Sequence, residues 1–123
     1  SLKESFDDSE FTVVARSNAL SKLTGDIDRY STCWSTPSLW FYISGNGDVY
    51  ACGAHVGNPK FLLGNIFNSK IDDIWRSSER QSCLEHVQKE LDLNSCRRTC
   101  RMDEANKYLF DLIEGDMPHK NFI

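Results

Sequence analysis

Four of the five cysteines in this chain of 123 residues fall into two groups far apart in sequence, Cys33 with Cys52 and Cys96 with Cys100. Inside the first group lies Gly45-Asn46-Gly47, flanked by strand-favouring residues, and the second stands at the start of a helical pattern. Thiols spread in this way, some on a hairpin and some at a helix start, are how a small domain builds a four-thiolate metal site. The spacing constrains the fold, because the chain between 52 and 96 must bring the two groups back together.

Five cysteines is an odd count, and a secreted disulfide framework would leave one thiol over. Thiolates committed to metal in a reducing compartment fit better. The net charge of -4 lacks the basic excess that marks a nucleic-acid surface. No apolar run approaches the roughly 20 residues needed to span a bilayer, and the start lacks the basic-then-apolar order of a secretion signal. These features predict a soluble, cytoplasmic domain with neither nucleic acid nor membrane as partner. The length suits one domain. An acidic opening (Glu4, Asp7, Asp8, Glu10) running into the apolar stretch 11–15 reads as a piece cut from a longer chain.

The predicted fold class is α+β, a β-hairpin followed by a helical segment around a metal-cluster site. A short strand is expected at 11–15 and a helical turn at 19–23, ended by Gly25. The run 39–43 (Leu-Trp-Phe-Tyr-Ile) and its return at 48–52 form the hairpin, with positive-φ positions supplied by the intervening glycines. Ser69 with Asp72 reads as a cap for a helix whose inward face is Ile71, Ile74 and Trp75. A second helix is expected over 81–91, with Leu84, Val87 and Leu91 inward, and a third over 100–114, stopped by Gly115 and Pro118.

Cys33 and Cys52 flank the hairpin, so both can stand at one end of it. Cys96 and Cys100 would share a face if helical, with Cys100 at the positive end of the third helix. Arg97, Arg98 and Arg101 would lower the thiolate pKa values and offset the charge of the site. Four thiolates suit an iron–sulfur cluster or tetrahedral zinc, and ligand type alone does not separate them. A zinc-stabilised interaction module therefore stands as the alternative reading, with an independent ferredoxin-like carrier behind it.

The pattern Cys33, thirteen residues, Gly47, four residues, Cys52 resembles the opening Cys-x(9–15)-Gly-x4-Cys of the SPASM and Twitch extensions found C-terminal to radical SAM barrels. The segment 63–66 (Leu-Gly-Asn-Ile) followed by 71–75 (Ile-Asp-Asp-Ile-Trp) is similar to the stretch between their cysteine groups. The likeness covers roughly residues 30–115. A full SPASM domain carries seven cysteines for two clusters. The shorter set here resembles the Twitch form, which implies one auxiliary [4Fe–4S] cluster on Cys33, Cys52, Cys96 and Cys100. It also implies that 1–29 is a linker or the end of a preceding barrel and 30–123 the auxiliary domain. The partner would be the radical SAM barrel of the same parent chain. Cys96-x3-Cys100 begins like the loop that holds a SAM-binding cluster, but its third position is Asp103, so S-adenosylmethionine would bind only in that barrel. The domain alone would not be catalytic.

Cys83, one residue before Leu84, is read as a core thiol. His55 could hydrogen-bond a cluster sulfur, although a lone loop histidine is usually solvated, and His86 is read as surface. His119 and Lys120 belong to an apolar-ended tail read as docked. Trp34, Trp40, Phe41 and Tyr42 are read as hairpin core. No phosphate loop, nucleophile elbow or His-Glu-x-x-His motif is present.

Overall fold

The hairpin forms where the sequence predicts it, in shorter strands. The computed structural model describes residues 2–14, 17–25 and 29–115. In it β1 (Tyr42–Ile43) pairs antiparallel with β2 (Asp48–Tyr50), Tyr42 opposite Tyr50 and Ile43 opposite Val49. A third strand, β3 (Leu62–Asn65), pairs antiparallel with the other edge of β2, with a register shift between Val49 and Tyr50. No strand is predicted at 61–66 from the sequence, because Gly64 and Asn65 are poor strand formers; pairing with β2 supplies what propensity does not.

Of the turn glycines only Gly47 takes a positive φ, +83°. A Cβ at that position would lie 2.5 Å from the Phe67 ring and 3.0 Å from Asn65 Oδ1, so both conformation and space call for glycine. The Asn65 amide donates to the Asn46 carbonyl and to Asp48 Oδ1, each at 3.0 Å, and ties β3 to the turn.

Two helices cover the sheet. The first, α3 (Ile71–Trp75), packs on β3 at Gly64, where a Cβ would stand 3.0 Å from Ile74. Its N-cap is Lys70, without a side-chain cap bond, so the expected Ser69–Asp72 cap is not made, and Ile71 is exposed. The second, α4 (Ser78–Lys89), starts earlier than the apolar period suggests because Ser77 Oγ accepts the Arg80 N–H at 3.1 Å. It buries Cys83 and Val87, while Leu84 and Leu91 are half-buried. The core joins Val49, Ala51, Phe61, Leu63 and Ile74 to Cys83 and Val87.

Outside this core, α1 (Leu2–Phe6) and α2 (Ser17–Thr24) precede the sheet. Residues 11–14 form no strand, and Ala15 lies outside the described residues. The Gly25 N–H donates to the Ser21 carbonyl at 2.9 Å, consistent with the expected stop at Gly25. The last helix among the described residues, α5, spans Asp103–Ile113. Pro118, His119, Lys120 and the rest of the tail lie outside the described residues. No helix among the described residues is long and apolar enough to cross a membrane.

Candidate metal centre

Cys33, Cys52, Cys96 and Cys100 line one cavity, between the far end of the sheet and the loop that precedes α5. Each thiol arrives on a different support. Cys52 follows β2 and caps the 3-10 turn Gly53–His55, its Sγ accepting the Ala54 N–H at 3.4 Å. Cys33 sits in the segment 32–35, which a fully buried side chain on α5 holds. Asn106 Oδ1 accepts the N–H groups of Trp34 at 2.5 Å and Ser35 at 2.8 Å, and its Nδ2 donates to the Thr32 carbonyl at 3.2 Å.

Cys96 ends the 3-10 turn Leu93–Ser95, and Cys100 lies three residues ahead of Asp103, the first residue of α5. The expectation that both stand on one helical face, with Cys100 at a helix start, is therefore corrected. The physical reason is Arg29. Its guanidinium donates to the carbonyls of Leu93, Cys96 (3.3 Å) and Arg97 (2.8 Å). A helix would offer the latter two carbonyls to residues four positions on. Lys22 on α2 braces the same region from the other side, reaching Asp103 Oδ2 and Glu104 Oε1 at 2.6 Å each.

At Cys52 and Cys96 burial outweighs the arginines. The Cys52 pKa is raised, first by burial and then by Cys100 and Cys33, against the pull of the Ala54 N–H and of Arg97. The Cys96 pKa is raised by burial and by Cys33, Cys52 and Cys100, against Arg29. The mutual repulsion says that the four sulfurs share one electrostatic neighbourhood. Arg98 donates to the Leu23 carbonyl at 3.0 Å instead of serving the thiols. Tyr30 is held as the neutral phenol, by burial and by the same Cys33 and Cys100.

His55 and His86 are less solvated than predicted. His55 stacks on Phe61 with ring centres 4.0 Å apart and 7° between planes, and its Nε2 stands 4.0 Å from Cys96 Sγ. Burial first, then His86 and Arg97, lower its pKa, so the ring is neutral at pH 7. His86 is half-buried, meets Phe61 edge-on at 5.7 Å, and bonds Glu90 at 2.8 Å through Nδ1. Cys83 is 1 % exposed, its pKa pushed up to about 11 by burial, as a core thiol should be. Trp34, Trp40 and Phe41 are half-buried; Tyr42 is exposed beside Gly53.

The cavity offers a metal four thiols and one imidazole and no carboxylate; the hydroxyls of Tyr30, Ser35 and Thr36 and the cations Arg29 and Arg97 complete its polar lining, among apolar walls. That chemistry fits an iron–sulfur cluster. No group of three or more His, Cys, Asp or Glu side chains among the described residues is gathered so as to hold a single metal ion. A family model described as SPASM, an iron–sulfur cluster-binding domain, matches residues 33–101. The chain belongs to the SPASM family. The SPASM match opens on Cys33 and closes one residue past Cys100, enclosing all four thiols. Neither curated proteins nor solved structures gave a significant match.

Arg29 and Asn106, which position the cysteine segments, lie outside the SPASM match, and the sequence reading missed both. Asn106 could have been noticed as a polar residue one helical turn from Asp103, on a helix whose other face is apolar. Arg29 carries no local signal, because its partners are backbone carbonyls 64 or more positions away.

Proposed function

We propose that the chain is the auxiliary domain of a radical SAM enzyme, of the Twitch type, with Cys33, Cys52, Cys96 and Cys100 each ligating one iron of a single [4Fe–4S] cluster. The convergence of these thiols on one cavity, within the bounds of the SPASM match, carries this reading. One zinc ion at about 2.3 Å from each sulfur needs all four thiols drawn to a point. A four-iron core presents a separate iron to each thiolate and suits donors spread around a cavity wall. When bound, such a cluster supplies one-electron chemistry.

The chain's own residues then tune and protect it. The Ala54 N–H stabilises negative charge on Cys52 Sγ, and Arg29 and Arg97 offset charge at Cys96 and Cys52. Apolar walls from Trp40, Phe61, Leu91 and Leu93 limit water at the site. With cysteine on every iron no open coordination position remains, so electron transfer and substrate placement are the roles, not Lewis-acid binding. The partner is the barrel of the same cytoplasmic parent chain, with residues 1–29 as the linker or the barrel's end.

Anaerobic reconstitution tests the reading. We expect four irons and four sulfides per chain and a brown charge-transfer spectrum, abolished in Cys52→Ala and retained in Cys83→Ala. A colourless protein with one zinc, or equal loss from both substitutions, overturns it.

A further inference from the structure

A second cleft, of about 160 Å³, adjoins the cysteine cavity, with Trp40, Cys52, Ala54, Arg97 and Cys100 shared between the two and Tyr42, Gly53 and Arg101 lining the cleft alone. One wall is aromatic, from Trp40 and Tyr42; the other is cationic, from Arg97 and Arg101; no carboxylate lines it. In a chain with net charge -4, two arginines facing one cleft without an acid are out of balance with their surroundings. Arg97 is partly engaged, donating to the Gly53 carbonyl at 3.5 Å. Arg101 has no hydrogen-bond or ion-pair partner among the described residues. The neighbouring arginines all have other work: Arg29 holds three carbonyls, and Arg98 holds the Leu23 carbonyl.

A guanidinium presents a planar fork of donors that matches an oxyanion with two bonds. The aromatic wall removes water from one side of the cleft, which strengthens that pairing and accepts an apolar body attached to the anion. Gly53 keeps the wall in place: a Cβ there would press within 3.3 Å of the Tyr42 ring. We infer that this cleft is a subsite for an oxyanion, the carboxylate or phosphate of the substrate, bound by Arg101 with Arg97 and seated beside the cysteine cavity. Two guanidinium charges outweigh one singly charged oxyanion, so the remainder faces the adjoining thiolates. Calling the ligand a substrate rests on the function proposed above; the oxyanion site itself does not.

The test is anaerobic calorimetric titration of the cluster-loaded chain with benzoate and, separately, inorganic phosphate, ionic strength being held constant with sodium chloride. We expect saturable binding at one site, weakened at least tenfold in Arg101→Ala, partly restored in Arg101→Lys, and unchanged in Arg98→Ala. Tighter benzoate binding assigns the carboxylate, and tighter phosphate binding the phosphoryl group. Heats that do not saturate, or equal affinity in wild type and Arg101→Ala, overturn the subsite. Iron content and visible spectrum are read on the same samples. Loaded protein that binds neither probe removes the subsite and leaves the cluster standing. Protein without iron that still binds through Arg101 does the reverse.

Discussion

Cys52 and Cys96 reach the same cavity from unlike scaffolds. Cys52 leaves a strand whose neighbours Val49 and Ala51 are fully buried, in a core shared with Phe61, Leu63, Ile74 and Val87. Cys96 leaves a loop whose course is set by polar side chains from elsewhere: Arg29 on its carbonyls, and Lys22 on the first residues of α5. Cys33 is in the same position, held through Asn106. Apolar packing tolerates small adjustments, since contact is non-directional. Hydrogen-bond brackets do not, because a lost partner leaves a buried group unpaired. The sheet half should therefore fail as a whole, and the loop half at its brackets.

The largest effect belongs to the sheet half. Phe61 is 1 % exposed at the junction of β3, α4 and the His55 ring, so Phe61→Ala costs about 3–5 kcal/mol. Denaturant unfolding of the metal-free chain measures this, and amide exchange should accelerate across β2, β3 and α4 together. Acceleration confined to residues beside 61 would show that the sheet half is not one cooperative unit.

Next comes Asn106→Ala, which strips partners from two N–H groups and one carbonyl. With about 1–3 kcal/mol for each buried group left unsatisfied, a loss of about 3 kcal/mol is expected. The contrast with Phe61 lies in where it appears. Iron retention under a chelator should fall sharply as the Cys33 segment loosens, while exchange at Val49 and Leu63 keeps its protection. If those core amides exchange faster in step with iron loss, the two halves are coupled and the distinction fails.

The same contrast explains what could be read from the sequence. The hairpin, the buried Cys83 and the helices over Ile74 and Val87 were legible because they follow periodic apolar patterns and turn glycines. The meeting of the four thiols at one cavity was legible because two cysteine groups so spaced are how a small domain builds a four-thiolate site. The shape of the segment 96–102 was not. A Cys-x3-Cys spacing followed by an apolar helical pattern reads as helix, and nothing local reveals that Arg29 takes the carbonyls of Cys96 and Arg97. β3 was illegible for a related reason. Gly64 looks like an interruption, yet it makes room for Ile74, a tertiary requirement invisible in a window of a few residues.

Arg29→Lys probes the bracket more gently. A lysine keeps the charge but replaces a fixed fork with two separate nitrogens by one compact ammonium, whose donors are not pre-organised for carbonyls that Arg29 reaches from both Nη1 and Nη2. We expect about 1–2 kcal/mol of lost stability and faster iron release, with little change at the sheet. Full retention of iron in this variant would mean that charge beside Cys96, not carbonyl geometry, is what Arg29 supplies.

The smallest effect carries a sign that can be checked. Burial pushes the Asp103 pKa up, but the Lys22 hydrogen bond and charge, with Lys107, outweigh it and leave the carboxyl below its ordinary value. A lowered folded pKa contributes stability above the unfolded value of about 3.9, lost as pH falls through the folded one. Lys22 is raised, chiefly by its bonds to Asp103 and Glu104, so its contribution is complete below about 10.4 and lost only as pH rises through its folded value. Glu104 is mostly exposed and adds little. Between those limits the pair is worth about 1 kcal/mol, given a carboxylate that is mostly buried and an ammonium that is partly so. Lys22→Met should thus lower unfolding free energy by about 1 kcal/mol near pH 7 and by less at acid pH, as the folded Asp103 carboxyl takes up its proton. An equal deficit at both pH values would show that Lys22 works through the packing of its methylenes. α2 would then be joined to α5 by the same non-directional contact that builds the sheet half, and the polar character assigned to the loop half would hold only for Arg29 and Asn106.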